Sequence, residues 1–111
     1  MHELSIARNI VAIVCERAGV TPVKRVTLEV GALSGVMAEA IAFCFPIVAE
    51  GTACAGALLE IREIAARARC RTCGADFAQP RLGAPCPCGS RENDRTAGGE
   101  LNVKEMEFEA A

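Results

Sequence analysis

Cys70-Arg71-Thr72-Cys73 and, after twelve intervening residues, Cys86-Pro87-Cys88-Gly89-Ser90 place four of the chain's seven cysteines within nineteen positions. Two close thiolate pairs arriving from two facing turns can complete a tetrahedral sulfur shell around one zinc ion. The segment is short, polar and poor in apolar residues, so a metal would have to hold it together. The first pair has ordinary knuckle spacing. The second is one residue tighter, and Pro87 offers no N–H to a sulfur. Four thiolates would close the shell and leave no open position for catalysis.

The segment also differs in charge from its surroundings. Between Ala66 and Arg95 there are six arginines and three acids, a local net of +3, on a chain whose net charge is −2. The remaining residues are therefore acidic. The arginines invite a nucleic-acid reading of a zinc ribbon, or a protein-interaction module. Overall negative charge and the near absence of aromatics, Phe77 alone in this segment, argue against nucleic acid. A thiol oxidoreductase would need a flanking βαβ pattern, which is missing around Cys70.

Outward from the cysteines, 111 residues at 51% hydrophobic allow one small body with an aliphatic core, since there is no Trp or Tyr. Leu4 to Ala18 has Leu4, Ala7, Val11, Val14 and Ala18 on one helical stripe, widened by Ile10 and Cys15. Gly19 and Pro22 end it. Lys24 to Gly31 alternates, with Val26, Leu28 and Val30 on one face and Arg25, Thr27 and Glu29 on the other, which predicts a half-buried strand. Val36 to Glu50 predicts a second helix with Val36, Ala40, Phe43 and Ile47 on one side and Ile41, Cys44 and Val48 adjacent. Pro46 should kink it near Ala42–Phe45 or end it early.

Ala57 to Ala65 predicts a second strand with Leu59 and Ile61 inward. Glu100 to Ala110 predicts a third. Its apolar parity changes between Leu101/Val103 and Met106/Phe108, which a bulge or a strand shared between two environments would account for. The expectation is an α+β fold: two helices packed on a small three-stranded sheet, with an inserted zinc-binding module of the rubredoxin or zinc-ribbon kind. The body would be 1–66 plus 98–111 and the module 67–97. Pairing between the second and third strands would make the module an excursion between neighbours.

No run approaches the ~18 apolar residues of a membrane span, and the N-terminus lacks the basic start of a secretory signal. A soluble, cytoplasmic protein is expected. Cys15 and Cys44 read as small buried hydrophobes on helices. Cys54, in a Gly/Ala loop, carries no partner signal. His2 is the only histidine, so no Ser/His or Cys/His pair can be assembled, and no catalytic residue or enzyme is expected. His2 is either a solvated terminal residue or a chelator. The Met1 α-amine, the His2 amide nitrogen and its imidazole Nδ1 can close fused rings around Ni²⁺ or Cu²⁺, with Glu3 as a fourth donor through its amide or carboxylate.

Met1-His2-Glu3-Leu4-Ser5, Val26-Thr27-Leu28-Glu29-Val30-Gly31, the cysteine module with its Cys88-Gly89-Ser90-Arg91 ending, and Gly99-Glu100-Leu101-Asn102-Val103-Lys104-Glu105-Met106-Glu107 together resemble the HypA/HybF nickel metallochaperones over the full length. The resemblance implies delivery of Ni(II) for [NiFe]-hydrogenase maturation, and in some organisms for urease. It implies nickel at His2 with Met1 and Glu3, and structural Zn(II) on Cys70, Cys73, Cys86 and Cys88. It further implies a HypB-type GTPase partner and hand-off toward a hydrogenase large-subunit precursor or other nickel-enzyme maturation factors. No nucleic acid and no membrane span are expected, and a homodimer is left open.

Overall fold

The computed structural model describes residues 3–110. The expected donors Met1 and His2 lie outside the described residues. Element order is α1 (Glu3–Ala18), β1 (Val23–Gly31), α2 (Ala38–Ala49), β2 (Leu58–Ile64), β3 (Arg67–Cys70), β4 (Asp76–Ala78), β5 (Asn93–Ala97) and β6 (Leu101–Phe108). These form two three-stranded sheets, ordered β2-β1-β6 and β4-β3-β5.

In the first sheet β1 is central. β2 runs parallel to it, so β1, α2 and β2 make a crossover unit, and β6 runs antiparallel on the other edge. The second and third expected strands therefore do not pair with each other. Both pair with β1, whose uninterrupted alternation suits a strand with two neighbours. Two core-facing rows result, Leu59–Val26–Met106 and Ile61–Leu28–Val103. Val103 and Met106 are three residues apart, an odd interval that should split them between faces. A register shift opposite Thr27/Leu28 puts them on the same one, which explains the parity change.

Helix α1 buries Ile6, Ala7, Ile10, Val11, Val14 and Ala18. Leu4, expected on that stripe, is 41% exposed, and Ile6 takes its place at the start of the buried face. The Gly19 N–H returns to the Cys15 carbonyl at 2.9 Å and closes the helix. Helix α2 departs more. It buries Ile41, Phe45 and Ala49, while Phe43 is 74% and Ile47 55% exposed. Its sequence is apolar nearly all round, so periodicity could not choose the inward face. It also does not end early at Pro46: helix continues to Ala49 with Pro46 on the exposed side.

Leu28, Ile41, Phe45, Val14 and Val26 form the centre of the first core. Each contributes roughly 1.5–3 kcal/mol of transfer free energy. The outer face of the sheet is charged. Arg25 reaches Glu60 at 3.7 Å and Glu107 at 2.7 Å, one from each flanking strand. Thr27 is buried although it lies on that polar parity.

The second sheet holds a separate small cluster, Ala68, Cys70, Phe77 and Cys86. Its strands are three to five residues long; β3 and β4 bury alternate positions, and β5 buries none. The turn after β1 is bonded to the end of β2 and to the β5–β6 connection: Ala32 N–H donates to the Ile64 carbonyl at 2.9 Å, and Leu33 N–H to the Gly98 carbonyl at 2.8 Å.

Candidate metal centre

Each cysteine pair sits on a turn whose backbone bonds aim the sulfurs. Cys70 ends β3, and its carbonyl accepts the Gly74 N–H at 3.0 Å, folding residues 70–74 into a knuckle. Inside that knuckle the Cys73 N–H points at Cys70 Sγ, 3.4 Å away. The second pair is folded by the Gly89 N–H on the Cys86 carbonyl at 2.7 Å and the Cys86 N–H on the Ser90 carbonyl at 2.9 Å. Pro87, which lacks an N–H, stands between those bonds and is not asked for one. The tight Cys86-Pro87-Cys88 spacing therefore still projects both sulfurs.

The two turns face each other, and the sulfurs interleave crosswise. Cys70 Sγ lies 3.7 Å from Cys88 Sγ, and Cys73 Sγ lies 3.6 Å from Cys86 Sγ. All four sulfurs fall within 4.8 Å of one another. A tetrahedron built on Zn–S bonds of about 2.3 Å has sulfur–sulfur edges of about 3.8 Å, so the donor set has the dimensions and softness that Zn²⁺ takes. Cys70 and Cys86 are buried, Cys73 and Cys88 exposed. One sulfur of each pair is thus anchored in the small core and the other closes the shell from outside.

Electrostatics point the same way. The Cys73 N–H draws the Cys70 thiol down to about 6, with help from the Thr72 N–H. At Cys86 the Cys88 N–H pulls downward as well, but burial and the sulfurs of Cys73, Cys88 and Cys70 outweigh it and push that thiol up to about 12. Four sulfurs packed this closely cannot all ionise on their own. A divalent cation among them reverses that balance and deprotonates coordinating thiols.

Two features around the quartet gave no signal in the sequence. Thr72 Oγ1 and Ser90 Oγ are 2.8 Å apart, a hydroxyl bridge between the turns, and Ser90 Oγ also accepts the Glu92 N–H at 3.1 Å. Arg71, next to a cysteine, holds Asp94 through Nε at 3.1 Å to both carboxylate oxygens. The Arg71 contact keeps the Asp94 carboxyl below its ordinary range.

Of the N-terminal set, Glu3 is described. It opens α1, and its Oε2 accepts the Met37 N–H at 3.4 Å. As the first helical residue it has an amide N–H with no acceptor inside the helix.

The profile of the HypA family, described as hydrogenase/urease nickel incorporation metallochaperones, matches residues 1–108. The chain belongs to the HypA family. The hydrogenase maturation factor HypA of Rippkaea orientalis is 53% identical over 111 residues, covering 98% of this chain and 96% of that protein. The hydrogenase maturation factor HypA of a Nostoc species is 50% identical over 109 residues, with the same coverages. The solution structure of the Ni metallochaperone HypA from Helicobacter pylori superposes with a TM-score of 0.71 at 25% identity, covering 100% of both chains. The two helices and small sheets match the fold of that HypA structure, and the second sheet of this chain carries a cysteine cluster suited to zinc. Among the described residues no helix is long and apolar enough to cross a membrane.

Proposed function

We propose that this HypA-family chain carries Ni(II) as cargo on its N-terminal tripeptide, while Zn(II) on Cys70, Cys73, Cys86 and Cys88 holds its second sheet together. What carries the assignment is the family match beginning at residue 1, which brings Met1-His2-Glu3 and the sulfur quartet into one chain. The Met1 amine, the His2 amide nitrogen and the His2 imidazole would chelate the metal, with Glu3 as fourth donor. The place of Glu3 at the head of α1, where its amide has no acceptor inside the helix, supports that role.

The two sites divide the labour by chemistry. Zinc supplies a closed, unreactive crosslink. The terminal nitrogens suit transfer, because an incoming ligand can replace them one at a time. An α-amine with a pKa of about 7.7–8.0 also makes proton competition strong, so nickel affinity falls as pH drops below that range. Residues 1–66 with 98–111 form the nickel-carrying part and 67–97 the zinc module. The partners are a HypB-type GTPase and a hydrogenase large-subunit precursor, in a cytoplasmic setting.

The test uses untagged protein, since any added residue removes the terminal amine. His2→Ala is expected to abolish stoichiometric Ni²⁺ binding by calorimetry while zinc content and melting temperature stay unchanged. One nickel per chain in that variant overturns the assignment.

A further inference from the structure

Three cysteines lie outside the quartet, and two of them meet. Cys15 is in the last turns of α1, and Cys54 is in the loop between α2 and β2, 39 residues away. Their sulfurs are 3.9 Å apart, and both are free thiols. Cys54 is 0% exposed, whereas Cys15 is only partly buried. The loop that carries Cys54 is held in place. Thr52 Oγ1 donates to the Ala49 carbonyl at 2.6 Å and accepts the Cys54 N–H at 3.1 Å, and the Ala53 carbonyl accepts the Val23 N–H at 2.9 Å. One sulfur is thus presented from a fixed loop to another that is only partly buried.

We propose that Cys15 and Cys54 are a redox-active dithiol, which a hydroperoxide converts reversibly into a disulfide joining α1 to the α2–β2 loop.

The chemistry balances in two steps. Cys15 sulfur attacks the peroxide, the O–O bond breaks, and Cys15 becomes a sulfenic acid as an alcohol or water leaves. Cys54 sulfur then attacks Cys15 sulfur. The S–O bond breaks, the S–S bond forms, and the Cys54 proton departs with the hydroxyl as water. The two sulfurs together give up two electrons, which the peroxide takes. The sulfurs are already at contact distance, 3.9 Å apart, so the bond needs only a short further approach.

The asymmetry in burial assigns the order. Thiolate character and access decide which cysteine meets an oxidant first. Burial, and then the neighbouring Cys15 sulfur, raise the Cys54 thiol to about 11. Cys54 is therefore shielded from direct attack and acts as the resolving partner. Cys44, also partly buried but on α2, serves as an internal control.

The experiment treats zinc-loaded, full-length protein with equimolar hydrogen peroxide, quenches with iodoacetamide under denaturing conditions and maps peptides by mass spectrometry. A Cys15–Cys54 crosslinked peptide is expected, with Cys44 still alkylated, zinc retained, and both thiols recovered after dithiothreitol. The oxidised protein should also melt higher than the reduced one, and Cys15→Ser should remove that difference. Cys54→Ser should leave Cys15 as a sulfenic acid that dimedone traps. The proposal is overturned if Cys15 advances to sulfinic acid with Cys54 still alkylatable, if either links instead to Cys44, or if the zinc quartet oxidises first. The wild-type map decides even where a variant fails to fold.

Discussion

Gly31 and Gly98 meet backbone against backbone: the space where a Gly31 side chain would begin is occupied by the Gly98 carbonyl group. The same turn donates the Gly31 N–H to the Glu100 carbonyl at 2.7 Å. Gly98 in turn has φ +109 and no room for a side chain, since a Cβ there would stand 2.6 Å from Ala66 Cα. The chain thus passes from the first sheet to the second and back through one tight crossing.

A methyl group cannot enter that crossing without moving backbone. Gly31→Ala and Gly98→Ala are each expected to lose roughly 2–4 kcal/mol, the range of substitutions that combine overpacking with backbone strain. Urea denaturation of the zinc-loaded protein measures it. A midpoint equal to wild type for Gly31→Ala would mean that the crossing is loose.

Zinc removal should act on one sheet and spare the other. The buried cluster under β3, β4 and β5 is only Ala68, Cys70, Phe77 and Cys86, and two of those are the anchored sulfurs. The first core, with Leu28, Ile41 and Phe45, contains none of the quartet. Chelation at neutral pH is expected to collapse amide dispersion for residues 67–97 and leave that of β1 and α1 in place. Because thiolates bind the metal and protons compete for them, acid should produce the same selective loss as pH falls. Collapse of both sheets together would show that the first cannot stand alone.

Much of this was legible in the residues, and the failures have physical causes. The alternation Val26, Leu28, Val30 marked a strand, though not its central place, and the odd interval between Val103 and Met106 left a bulge or a shared strand open, which the register shift at Thr27/Leu28 decides. The face of α2 was not legible. Phe43 and Ile47 are as apolar as Ile41 and Phe45, and only the packing against α1 selects between them. Strands β3 to β5 were not legible because each is too short, three to five residues, for its alternation to stand out, and β5 has none. Their pairing joins Ala68 to Phe77 and Arg95, a consequence of the two knuckles meeting. Spacing identified Cys70, Cys73, Cys86 and Cys88, but not their crosswise arrangement.

Pro46 is the clearest local conflict with the fold. It sits inside α2, exposed, where it cannot donate to the Ala42 carbonyl. Packing of Ile41, Phe45 and Ala49 holds the helix together across it. Pro46→Ala restores one hydrogen bond and a good helix former, offset by a more flexible unfolded chain. The expected result is a gain of about 1–2 kcal/mol in urea denaturation, below the full ~3 kcal/mol helix-interior penalty of proline. A loss of stability would show that Pro46 makes a contact the helix needs.

Glu3 offers the finest test of the nickel assignment, because its two candidate donors can be separated. Its carboxylate already accepts the Met37 N–H at the head of α2, where Met37 itself provides no side-chain cap. That is the task an acidic residue performs in a capping box, here supplied from another helix. On the proposed nickel assignment the carboxylate would then be structural, and the amide nitrogen at the start of α1, which has no acceptor inside the helix, would be the fourth donor. Glu3→Ala should keep one nickel per chain and lose no more than about 1 kcal/mol of stability. Glu3→Pro should do the reverse. Proline fits the first helical position, so α1 survives, but its nitrogen has no proton to displace. Nickel affinity should fall by about tenfold or more, with zinc content unchanged. Retained affinity in Glu3→Pro together with loss in Glu3→Ala would transfer the role to the carboxylate.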